Sequence, residues 1–285
     1  MGTTRFAQND LARLSYEVDG PEQGPPLIFL HATLGDHRTI GDLQRELNAD
    51  YRLILPDARG HGASAGIQGR TFTITEMAND VWAVMEAEGL DADDAPRPLL
   101  IGHGQGAVTA LELARRRSDR FVGMILIEPD APALLDGETD ADVIRLRESG
   151  REVYRRISES AYRDQLEQAL EGYMRYRWGV EWRDELSRPR LAATRRHLGA
   201  LGPSLEALDS FRILPEELAA IQLRSHMITA GSSPAMIEVT GRRLAAVMPS
   251  ATYRQIGKIA LGAPFGSEAM FDVLRPLIAS MVGRS

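Results

Sequence analysis

The 285-residue sequence contains no cysteine. Disulfides, thiolate metal sites and cysteine nucleophiles are therefore excluded, although that absence does not fix the compartment. Lysine is nearly missing too: of 33 basic residues only Lys258 is a lysine, an arginine bias expected of a GC-rich bacterial genome. No uninterrupted apolar stretch approaches the roughly 20 residues that a membrane-crossing helix needs. Residues 1–10 carry no apolar run fit for a signal peptide. The expectation is a cytoplasmic protein without membrane contact. Acidic residues outnumber basic ones 40 to 33, a formal net charge of −7. A nucleic-acid partner would require a concentrated basic surface, so none is expected.

What is present is ordinary globular composition, 44% hydrophobic and 26% charged, on a chain long enough for one large domain with an insertion. Strand-length apolar runs alternate with helical periodicity, the pattern of a mostly parallel sheet covered by helices. Strands are expected over 11–18, 27–30, 51–55, 99–101, 121–127, 223–230 and 251–256. Helices are expected over 74–88, after residue 106, and over 236–247 and 268–282. Between about 132 and 215 the strand signal disappears, and helical segments such as 143–157 and 162–182 take over. The expected organisation is an α/β core domain, 1–132 with 215–285, and a helical cap, 133–214.

Three segments carry a family resemblance. Leu27-Ile28-Phe29-Leu30-His31-Ala32 resembles the strand and His-Gly entry to an oxyanion loop. Pro56-Asp57-Ala58-Arg59-Gly60-His61-Gly62-Ala63-Ser64 resembles a D-x-R-G-x-G-x-S segment. Gly102-His103-Gly104-Gln105-Gly106 stands between a strand and a helix, where a G-x-S-x-G nucleophile elbow belongs. On these residues the chain is similar to the α/β-hydrolase superfamily, and the resemblance implies that fold, with a cap where the helical insertion lies.

The departures are informative. The elbow position is Gly104, which has no hydroxyl. The family's triad runs in the order Ser, acid, His, and the turn after the strand at 223–230 reads Gly231-Ser232-Ser233-Pro234-Ala235, with Ser233 where an acid belongs. The histidine should stand near Ala260, yet no histidine follows His226. A hydroxyl nucleophile needs a base, and the base an orienting partner, so all three triad positions read as vacant. The 231–235 stretch and the histidine-free region after it also resemble the non-catalytic Ndr (N-myc downstream-regulated) family locally.

The remaining candidates each have two readings. His31 and His103 flank the expected site, and both are read first as packed or loop-stabilising and second as ligand contacts. Asp57 and His61 are read as turn-stabilising. Glu128 and Asp130 end a strand where some family members keep an alternative acid. The aromatic residues of the insertion either hold it to the core or line a pocket, whereas Arg175, Arg177 and Arg183 are expected on a solvated face. The pocket candidates are His31, Thr33, His37, Gly104, Gln105, Asp130, Trp178 and Trp182. The six histidines show no metal-ligand spacing. Gly102-x-Gly104-x-x-Ala107 formally fits a dinucleotide fingerprint, but it lies about 100 residues into the chain behind hydrolase-type segments, so no cofactor is expected. The functional expectation is a binder of a small, partly apolar molecule; its alternatives are a nucleophile-independent lyase, isomerase or cyclase, and a hydrolase with a relocated site. A homodimer is left open.

Overall fold

A computed structural model describes residues 2–9, 12–64, 70–257 and 268–283. In chain order its strands are β1 (Thr3–Gln8), β2 (Arg13–Asp19), β3 (Pro26–Leu30), β4 (Arg52–Pro56), β5 (Leu99–His103), β6 (Gly123–Ile127), β7 (Ser225–Ala230) and β8 (Ala251–Ile256). They form one sheet in the order β1-β2-β4-β3-β5-β6-β7-β8. The first two strands pair antiparallel, as do β2 and β4, and every other neighbouring pair is parallel. All residues of β3, β5 and β6 are buried, as expected for parallel strands covered on both faces. Side chains alternate between those faces: Ile28 and Leu30 point into one apolar layer and Leu27 and Phe29 into the other.

The helices that precede β6 are α1 (Gly41–Leu47), α2 (Ile74–Ala87) and α3 (Gln105–Arg117). Between β6 and β7 come α4 (Ala141–Tyr162), α5 (Leu166–Trp178), α6 (Trp182–Glu185), α7 (Arg188–Arg195), α8 (Leu201–Ser210) and α9 (Pro215–Ala220), with short 3₁₀ turns and no strand. The last two helices are α10 (Ala235–Val247) and α11 (Glu268–Met281). Helices α1 and α11 cover one face of the sheet; α2, α3 and α10 cover the other. The start of α2 is fixed by a reciprocal cap, in which the Glu76 N–H donates to the Thr73 hydroxyl at 3.1 Å and the Thr73 N–H to the Glu76 carboxylate at 2.7 Å.

Two differences from the sequence expectation have physical causes. The strand β1, Thr-Thr-Arg-Phe-Ala-Gln, is almost wholly exposed, so an edge hairpin partner forms it rather than an apolar run. The helix expected over 162–182 breaks after Trp178, where Gly179 adopts φ 82° and its N–H returns to the Arg175 carbonyl. Among the described residues, no helix is long and apolar enough to cross a membrane.

Candidate functional site

The turn from β5 into α3 places Gly104 at φ 55°, ψ −117°, a backbone conformation that strains any residue with a side chain. The flanking glycines are required by space. A Cβ on Gly102 would stand 2.4 Å from the Gly106 carbonyl oxygen, and one on Gly106 would stand 2.1 Å from that of Leu30. Helix α3 therefore starts almost on top of β3 and β5. Gly104 differs: its nearest neighbour would be the Ala32 Cβ at 3.1 Å, tight but not barred. Bulk alone does not explain a glycine there.

Loop 31–36, after β3, faces the elbow. The Thr33 hydroxyl donates to the Gln105 side-chain oxygen at 3.1 Å, while among the described residues the buried Gln105 amide nitrogen meets no partner. Behind the loop lies a histidine cluster. The His31 and His61 rings are 5.1 Å apart, and those of His61 and His197 are 5.4 Å apart. Each ring accepts a backbone N–H at Nε2: Ala58 to His31 at 2.9 Å, Leu34 to His61 at 3.3 Å, Gly62 to His197 at 3.1 Å. Nδ1 then donates to a carbonyl in each case, of Ala32, Arg59 and Leu34. That pattern fixes the neutral tautomer, with the proton on Nδ1. Burial, aided by neighbouring histidines, depresses the pKa of His31 and pushes that of His61 down to about 3. On the outer side of the loop, His37 Nδ1 is 2.8 Å from Asp57 Oδ1; burial opposes its charge, but Asp57 outweighs that and raises its pKa.

A second cluster closes the ends of β6 and β7. Arg177 reaches down from α5 and donates to Glu128 at 2.7 Å and to Asp130 at 3.1 Å. The Tyr154 hydroxyl donates to Asp130 at 2.5 Å. His103 Nε2 lies 3.3 Å from Glu128, and the Ser233 hydroxyl donates to the other Glu128 oxygen. The turn after β7 thus brings a hydroxyl to the carboxylate that ends β6. Burial works against the Glu128 charge, yet Arg177, His103 and Ser233 hold its carboxyl well below the usual range. Asp130 is shifted upward, because its burial outweighs a cation that it shares.

Between loop 32–36 and the helical segment opens a cleft of about 370 Å³. Its floor is Ala32 to Gly35, and His103 reaches it from beside the elbow. Tyr173, Met174 and Trp178 of α5 form one wall; Arg190 stands on α7, and Leu186 and Arg196 just past the ends of α6 and α7.

The expected site residues divide accordingly. Thr33 and Trp178 line the cleft. Gly104 and Gln105 are buried and do not line it. His31 lies behind the loop, against a small void beside Leu14 and Val81. His37 is bound to Asp57 and Asp130 is held by Arg177 and Tyr154. Trp182, expected as a pocket wall, is fully buried in the helical segment under the Arg183 guanidinium. Ala260 lies outside the described residues.

Arg177, expected on a solvated face, is also buried. Its signal was positional: α5 buries Ala169, Leu170, Tyr173, Met174 and Arg177, so the arginine continues an apolar stripe at helical spacing. His197 was missed, and no local pattern marks it. No group of three or more potential metal ligands occurs among the described residues.

The alpha/beta hydrolase family model matches residues 27–263. With the sheet order and the elbow turn, this places the chain in that family. Among curated relatives, the magnesium-chelatase 30 kDa subunit of Rhodobacter capsulatus is 35% identical over 95 residues, 33% of this chain and 32% of that protein. The 3-oxoadipate enol-lactonase 1 of Acinetobacter baylyi is 29% identical over 108 residues, 38% of each chain. The chain thus matches only about a third of the length of these curated relatives. Among solved structures, an enol-lactonase from Burkholderia xenovorans superposes with a TM-score of 0.72 at 18% identity, covering 98% of this chain and all of the other. That likeness shows the shared fold.

Proposed function

We propose that the helical segment caps the sheet, that the cleft beneath it binds a small, partly apolar molecule, and that the chain does not act as a conventional serine hydrolase. The observation that carries the last of these is Gly104 at the tip of an otherwise complete elbow: the turn is built, the neighbouring glycines are in place, and no hydroxyl stands where a nucleophile would act. Two further features support it. The turn after β7 offers Ser233, already bound to Glu128, rather than a carboxylate. No histidine follows His226, and His226 is occupied with Thr252 at 2.6 Å. A pocket needs apolar enclosure with a few polar anchors, and Trp178, Met174 and Leu186 offer the first while Thr33 and the arginines offer the second.

Relatives named as hydrolases and lactonases make hydrolysis the reading to exclude. Incubation with a fluorophosphonate probe is expected to label no serine, and Gly104→Ser is expected to leave ester hydrolysis at background because no histidine follows His226 to take the base position of a triad beside the added hydroxyl. Stoichiometric probe attachment to the native chain, or a large gain in esterase turnover in the variant, would overturn the proposal.

One observation favours a second reading. His103 lines the cleft with Glu128 behind it, an arrangement that moves protons without a nucleophile. A turnover activity in the native chain that His103→Gln abolishes, with ligand affinity kept, would select this reading over simple binding.

A further inference from the structure

Resting on the reading that this cleft holds a ligand, we propose that the ligand is a small organic acid: an apolar body against Trp178, Met174 and Leu186, with its carboxylate at the mouth between Arg190 and Arg196.

The charges around the cleft carry the argument. Three arginines line it, Arg38, Arg190 and Arg196, against one carboxylate, Asp36. Asp36 is already committed. It accepts from the Arg38 backbone N–H at 3.0 Å and from the Arg38 guanidinium, which hold its pKa down to about 2 despite burial. Two positive charges are left facing the opening, in a chain whose formal net charge is −7.

Most neighbouring arginines are paired, although among the described residues Arg188, at the start of α7 and away from the cleft, is not. On the same helix, Arg195 forms two hydrogen bonds of 2.8 Å to Glu167. Arg183 is paired with Glu171, and Arg177 bridges Glu128 and Asp130. Among the described residues, Arg190 and Arg196 have no carboxylate partner, although acidic residues outnumber basic ones 40 to 33. Helix α7 turns Arg190, Ala193 and Thr194 toward the cleft at i, i+3 and i+4, and Arg196 follows where the chain bends to His197.

Guanidinium groups recognise carboxylates through paired, charge-assisted hydrogen bonds. Low-dielectric walls behind such groups strengthen that attraction and draw anions toward the opening. The opposite wall is apolar, so the remainder of the ligand is hydrocarbon or aromatic. A volume of about 370 Å³ lies at the small end of the range for ligand pockets, which bounds its size.

The test is isothermal titration of the full chain with ω-phenylalkanoates of graded length, each beside its neutral primary amide. The acids are expected to bind about tenfold more tightly than the matched amides, and the advantage should shrink as salt is raised. The double variant Arg190→Gln/Arg196→Gln is expected to erase the advantage and leave amide affinity unchanged. Arg195→Gln, which removes a neighbouring charge that does not line the cleft, should leave both affinities as they were. Equal binding of acid and amide by the native chain would overturn the carboxylate assignment while the cleft reading stands. So would an unchanged preference in the double variant. If no acid or amide binds at millimolar concentration, the cleft reading falls as well.

Discussion

Arg177 reaches from α5 to the end of β6, while His197, just beyond α7, reaches the loops that follow β3 and β4. Both fasten the helical segment to the sheet, and both do so through buried polar atoms. Their electrostatics are opposite. The first cluster sets one guanidinium against the carboxylates of Glu128 and Asp130 and three hydroxyls, of Tyr154, Tyr176 and Ser233. In the second, the His31, His61 and His197 rings all accept backbone N–H groups, which leaves no nitrogen to take up a proton without breaking a bond. A charged clamp holds only while its charges are complete; a neutral one holds only while it remains neutral. The comparison predicts different vulnerabilities.

The largest effect is expected at Arg177. Arg177→Met keeps much of the side chain's length but strands two buried carboxylates, and breaking a buried pair from one side typically costs about 3–5 kcal/mol. Urea unfolding would read that loss. Adding Glu128→Gln and Asp130→Asn to the same chain should recover most of it, because the uncompensated charges, not the missing contacts, carry the penalty. A loss below about 1 kcal/mol for Arg177→Met would mean that this end of the segment is held by packing alone.

The neutral cluster is expected to respond to pH instead. His31 and His61 have folded-state pKa values below the ordinary 6.5, chiefly through burial, with His61 down to about 3. The unfolded chain therefore binds protons that the native chain refuses. Their contribution is complete above about pH 6.5 and is lost as pH falls toward the folded values, by up to about 1.4 kcal/mol per pH unit for each histidine. His37 acts in the other direction, since its pKa is raised beside Asp57; its stabilisation is present below pH 6.5 and fades above. Between roughly pH 6.5 and 4.5 the His37 contribution is already complete, so the His61 loss of about 2 kcal/mol, with His31 adding to it, sets the sign. The raised pKa values of the buried Asp80 and Asp130 carboxyls offset part of it toward the acid end. Asp36, with its pKa held down to about 2, and Glu128 lose their contributions only at lower pH. Unfolding free energies measured across this window check the sign, and a flat or rising profile on acidification would sink the neutral-clamp account.

How far each region could be read in the sequence follows the same division. The elbow was legible because its constraints are local: Gly102 and Gly106 exist where a Cβ would strike the next turn or the next strand, and adjacent residues announce it. The parallel strands were legible because burial on both faces demands unbroken apolar runs, as in Leu-Leu-Ile of β5. Arg177 was misplaced because an arginine is solvated unless something buried needs its charge, and Glu128 lies 49 positions away. His197 is further still, 163 positions from the Leu34 carbonyl it binds. Such contacts are products of the fold and leave no periodicity. The cleft belongs to the same category, since its floor follows β3 and its walls belong to α5, α7 and the chain that flanks α7.

The smallest effect, and the one that separates the two clamps most finely, is expected from His197→Phe. The ring volume is kept, so packing against His61 survives, but the Gly62 N–H and the Leu34 carbonyl lose their partner. Two polar groups beside an open cleft regain part of that bonding from water, so the loss should be about 1–2 kcal/mol. It should also be local. Limited proteolysis within the helical segment is expected to accelerate more than global unfolding does, because only one fastening has been released. The acid sensitivity should persist, since burial is the largest cause of the low pKa values of His31 and His61 and the His197 charge ranks behind it. If the variant instead loses its acid sensitivity, then mutual repulsion among the three rings, rather than their burial, sets the response. The neutral clamp would then be an electrostatic device like its counterpart, differing in sign and not in kind.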